Sequence, residues 1–189
     1  MAEIFAIRTG QTIWELESRL DSATGAPLTD EGARSVQDCA RQLARESVAV
    51  VYAGSGEAER QSAELLAGPL QSRVRTVSDL RELDYGLWQG LTVSEIKRRQ
   101  PKLFRQWLEA PASVRPPGGE TLEEGLARLR KALKEILKRP KTPPVVLVLR
   151  PVMLGLLRCV VRNQTTDDVW QNVSTEFTWD RYDVSGDQI

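Results

Sequence analysis

Three short stretches place polar or small residues where an apolar run gives way to a turn: Arg8-Thr9-Gly10, Ala53-Gly54-Ser55 and Arg150-Pro151. Two of them carry a guanidinium, which stays charged at any working pH and suits oxyanions. The chain holds no histidine. A neutral imidazole is the usual nucleophile, base and metal ligand near neutral pH, so chemistry that needs one is excluded. Of the two cysteines, Cys39 and Cys159, each sits among apolar residues in a helical pattern and reads as a buried, reduced thiol. A Cys–His nucleophile is ruled out, and a hydroxyl without an adjacent base attacks weakly. No cluster has metal-ligand spacing and no Gly-rich nucleotide loop occurs, so neither a metal nor a cofactor is expected.

Lys plus Arg and Asp plus Glu are 26 each, so no net field draws the chain to nucleic acid or an anionic membrane. An anion site must therefore be built locally. The most apolar segment, 143–161, is broken by Arg150, Pro151 and Arg158 and does not read as a membrane span. The opening residues read as a strand rather than a secretory signal, so a cytoplasmic location is expected.

The elements that must position these residues follow from periodicity. Glu3–Ile7, Val48–Tyr52 and Val145–Leu149 are short apolar runs of the kind found in strands buried on both faces. Thr29 is a good N-cap, and Val36, Ala40, Leu43 and Ala44 recur behind it at helical spacing. Helices are expected over Glu57–Leu66, Thr92–Gln100, Lys102–Leu108, Thr121–Lys138 and Pro151–Val161, the last opening on a favourable first-position proline. Arg73–Val77 reads as a short strand, Arg81–Gly90 and Ala110–Gly119 as loops, and Thr175–Val184 as an edge strand. Trp14, Trp88, Trp107, Trp170 and Trp179 read as packing residues, and Lys131–Lys141 as the solvated face and end of a helix. Alternating strands and helices predict an α/β domain over residues 1–189 with a mostly parallel sheet. In such sheets ligands bind beyond the carboxyl ends of the strands, where the three polar stretches lie.

Those positions also carry a resemblance. Arg8-Thr9-Gly10-Gln11-Thr12-Ile13-Trp14, Pro27-Leu28-Thr29 with Gly32, Val51-Tyr52 before Gln61-Ser62-Ala63-Glu64, Leu80-Arg81-Glu82-Leu83-Asp84-Tyr85-Gly86 with Trp88 and Gly90, and Pro117-Gly118-Gly119-Glu120-Thr121 occur in order. Together they resemble the histidine phosphatase superfamily, in its phosphoglycerate-mutase-like branch. The resemblance implies a three-layer α/β/α sandwich in which a first-motif histidine attacks phosphorus. It also implies two arginines and a second histidine around the phosphoryl oxygens, and a glutamate that protonates the leaving oxygen. It puts Thr9 at the nucleophile and keeps Arg8 and Glu82. The second arginine falls on Ala58 and the second histidine on Arg150, while Arg19 lies where the family often has a rim arginine.

Thus three of the five implied active-site residues differ, with the scaffold motifs intact. Arg60 lies on a different side of its helix from Ala58 and does not obviously replace the lost arginine. Neither Lys97 nor Glu82 is placed by the sequence beside Thr9 as a base. Arg8, Arg150 and the free N–H groups of the helix at Pro151 could keep an anion site. Alternatively Arg150 pairs with Glu82 and closes it. The functional readings left open are a non-catalytic binding protein, a phosphate-ester enzyme with displaced chemistry, and a sensor of a phosphorylated metabolite. The expected partner is phosphate or a phosphorylated small molecule, with a protein partner or homodimer left open.

Overall fold

The computed structural model describes residues 2–22, 25–138 and 144–185. Five strands, β1 (Ala2–Arg8), β2 (Val50–Ala53), β3 (Arg73–Thr76), β4 (Val145–Leu149) and β5 (Trp179–Val184), form one sheet in the order β3-β2-β4-β1-β5. Every pairing is parallel except that of β5 with β1. The helices are α1 (Ile13–Leu16), α2 (Asp30–Leu43), α3 (Glu57–Leu70), α4 (Val93–Arg99), α5 (Pro101–Glu109), α6 (Leu122–Leu137), α7 (Pro151–Val161) and α8 (Val169–Asn172). Residues 139–141 of the charged run and Pro143 of the apolar segment lie outside the described residues.

The period of two along each central strand sorts side chains into two cores. Phe5, Ile7, Val51, Val146 and Val148 face α2 and α3, packing against Val36, Leu43 and Leu66. Ile4, Ala6, Tyr52, Val145 and Leu147 face α6 and α7, packing against Leu129, Leu133 and Leu157. This gives the expected three layers. β1 and β4 are buried on both faces, which is why they read as unbroken apolar runs. The last strand is shorter than expected and begins at Trp179, where its pairing with Ile7 of β1 starts. Pro101 does not merely separate two helices; it occupies the first position of α5. Trp88 and Trp107 pack edge-on, with centroids 5.7 Å apart, and Trp107 contacts Trp170, so these rings fill core rather than form a site.

Two glycines fix the path of the chain after β1. A Cβ on Gly10 would meet the Gly32 carbonyl oxygen at 2.5 Å, and one on Gly32 would meet the Gln11 carbonyl oxygen at 2.3 Å. The loop after β1 can lie against the first turn of α2 only because both are glycine. Thr29 Oγ1 caps α2 by accepting from the Gly32 N–H at 2.9 Å. Among the described residues, no helix is long and apolar enough to cross a membrane.

Candidate functional site

β1 and β4 run side by side with Arg8 opposite Leu149, so Arg8 and Arg150 leave the sheet together at its carboxyl edge. Both side chains are buried, at 3% and 2% exposure. They line a cavity of about 360 Å³ with Gln11, Glu15, Arg19, Asp21, Glu82 and Tyr85 among its walls. Each arginine meets carboxylates. Arg8 Nη2 lies 3.0 Å from Glu15 Oε2, its Nε donates to the Ser174 carbonyl and its Nη1 to the Thr9 carbonyl. Arg150 Nη2 lies 3.0 Å from Asp21 Oδ2 and 3.3 Å from Glu15 Oε1, and also donates to the Asp21 carbonyl. Its Nε and Nη1 have no hydrogen-bond partner among the described residues.

Glu15 is presented by α1, whose cap, Thr12, accepts from the Glu15 N–H while donating to Asp21 Oδ2 at 3.1 Å. Asp21 is held by that hydroxyl and by Arg150, yet burial still raises its carboxyl above the usual range. Glu59, in the first turn of α3, is also buried and raised by desolvation.

Glu82 does not pair directly with Arg150, contrary to one sequence expectation. Its Oε2 accepts from the Val152 N–H at 3.0 Å, and its Oε1 from the Leu83 and Met153 N–H groups at 2.8 and 3.2 Å. The free N–H groups expected to aim at a ligand from the start of α7 are therefore partly taken by this carboxyl. A carboxyl at a helix N-terminus satisfies two orphan donors at once, which explains the choice of partner. Burial pushes Glu82 up to about 7, against the opposing pull of Arg150 and the backbone donors. Arg128 steadies the segment: it bonds the Asp79, Arg81 and Glu82 carbonyls and pairs with Glu120 at 2.7 Å.

Residues 4–188 match the histidine phosphatase superfamily, branch 1. The chain belongs to that family. It is 26% identical over 170 residues to phosphoserine phosphatase 1 of Hydrogenobacter thermophilus, covering 90% of this chain and 81% of that protein. It is 37% identical over 137 residues to a bifunctional protein of Mycobacterium tuberculosis, covering 71% of this chain and only 37% of that protein. Among solved structures, YhfR of Bacillus stearothermophilus superposes with a TM-score of 0.88 at 25% identity, covering 95% and 90% of the two chains.

Set in this family's scaffold, the residues divide clearly. Arg8, Arg150, Glu82 and Arg19 are brought to one cavity. Arg19 is its outermost cation, donating to the Gly90 carbonyl and pairing with Glu17 at 2.6 Å. Thr9 is fully buried and is not among the lining residues; its N–H bonds the Leu149 carbonyl and its hydroxyl has no partner among the described residues. Ala58 is buried and Arg60 is exposed, paired with Glu57 and Glu64 on the outside of α3. Sequence reasoning missed Glu15, Asp21 and Glu59. The spacing of Thr12 and Glu15 matches a helix cap and marks α1. Nothing local marks Asp21 as a partner of a residue 129 positions away.

Proposed function

We propose that this chain is a ligand-binding member of the phosphatase family that forms no phosphoenzyme through histidine, and that its cavity keeps a phosphoryl-sized anion site. The observation that carries this reading is the state of the nucleophile position. Thr9 is buried outside the cavity lining, and the sequence holds no histidine to activate it. Arg8 and Arg150, by contrast, still line the cavity. Purified protein is assayed against aryl phosphates, phosphoserine and phosphosugars beside the Arg8→Ala variant, with circular dichroism to confirm folding. Equal, background-level rates support the reading; a wild-type rate well above the variant's defeats it.

A second reading has its own support. Relatives carry phosphatase names, and a carboxyl pushed up to about 7 is suited to proton transfer. In this reading water attacks a phosphate ester held by Arg8 and Arg150, with Glu82 as acid or base. Glu82→Gln then removes any activity found; unchanged activity rules it out.

A further inference from the structure

The residues that wall the cavity hold two unlike sets of buried hydrogen-bonding atoms. Arg150, 2% exposed, has Nε and Nη1 without a partner among the described residues. Buried N–H groups are nearly always satisfied, so they mark where an acceptor from a ligand belongs. Asp21 Oδ1, on a residue of the same cavity wall, is a buried acceptor with no hydrogen bond among the described residues, and Glu15 Oε1 meets only Arg150 Nη2, at 3.3 Å. These mark where a donor belongs.

The charges lead the same way. Arg8 and Arg150 are matched by Glu15 and Asp21 at 3.0 to 3.3 Å, so the clamp is already compensated. A bare dianion would satisfy the spare arginine donors and then lay its remaining oxygens against carboxylates. Like charges in a buried site repel strongly, and the carboxylate lone pairs would stay unpaired. An oxyanion that keeps a proton avoids both penalties: its oxygens accept from Arg150 and its hydroxyl donates to a carboxylate.

We infer that this cavity selects a proton-bearing oxyanion, the monoanion of phosphate or of a phosphate monoester, and discriminates against sulfate. This rests on the reading of the cavity as an anion site given above. Glu15 and Asp21 are then the specificity-determining residues.

The probes are inorganic phosphate, sulfate and monofluorophosphate, compared on the full chain by calorimetry and thermal shift at matched ionic strength and about pH 6. At that pH phosphate is mainly the monoanion, whereas sulfate and most of the fluorinated isostere carry no proton. Phosphate is expected to bind about tenfold or more tighter than either. Glu15→Gln is expected to narrow the gap by strengthening sulfate. Equal binding of phosphate and sulfate overturns the inference and leaves the anion-site reading standing. Phosphate and monofluorophosphate binding alike, with sulfate weak, also overturns it. Binding of none of the three at millimolar concentration defeats the anion-site reading and the inference with it.

Discussion

Arg150 and Asp21, 129 residues apart, meet in a buried ion pair with Nη2 3.0 Å from Oδ2. The pair ties the end of β4 to the loop after α1 and offsets one of the guanidinium charges in the cavity wall. Removing Arg150 leaves Asp21 buried with the Thr12 hydroxyl as its donor, whereas removing Asp21 leaves Arg150 its contact with Glu15. Arg150→Met should cost about 3–5 kcal/mol of stability. In a cycle with Asp21→Asn, the double variant should lose clearly less than the sum of the two singles. Urea denaturation of the four proteins checks this; additive losses would mean that the pair is not coupled.

Glu82 gives a pH dependence with a definite sign. Its folded value, about 7, lies above the ordinary 4.5, so the folded state holds the proton more tightly than the unfolded chain. The stability contributed by this proton is present in full below the unfolded value. It declines as pH rises from there to about 7 and changes little beyond. The amount at stake is on the order of 3 kcal/mol. Wild type should therefore exceed Glu82→Gln in stability by more at about pH 5 than at about pH 8. Denaturant melts of both proteins at the two pH values measure this difference.

Arg128 holds the Glu82 segment through three carbonyls and the Glu120 carboxylate, with a side chain 10% exposed. Arg128→Met should cost about 2–4 kcal/mol. Hydrogen exchange should also rise first at Leu83, Val152 and Met153, whose N–H groups hold the Glu82 carboxyl. A uniform rise across the sheet would show that Arg128 acts only on global stability.

Cys39 should be inert in the folded protein. Burial pushes its thiol up to about 12, and Cys159, also buried, is raised as well. Thiolate is the reactive form, so labelling by a chromogenic disulfide should be slow in buffer and fast in denaturant. Rapid labelling of the native chain would contradict the burial of both.

Much of the scaffold was legible from local pattern. Val145–Leu149 reads as a buried strand because both its faces are covered, and α7 starts at Pro151 as its sequence indicates. That Arg8 and Arg150 come to one cavity was legible because topology alone sends strand ends to the ligand edge. Their partners were not. A buried guanidinium needs a carboxylate, yet Glu82, the acid the motif offers, is drawn to the amides of α7. Glu15 and Asp21 fill the role because the capped turn at Thr12 and the loop behind it fold back over β4, a tertiary event that no local spacing records.

We propose above all that no side chain of this cavity, which lacks histidine, takes up phosphorus covalently. The direct measurement is intact mass spectrometry of the purified chain, quenched during incubation with a panel of phosphate monoesters, with product release followed in parallel. The expected result is an unmodified mass and release no faster than with Arg8→Ala. A population heavier by one phosphoryl group, formed and consumed as product appears, would contradict the account.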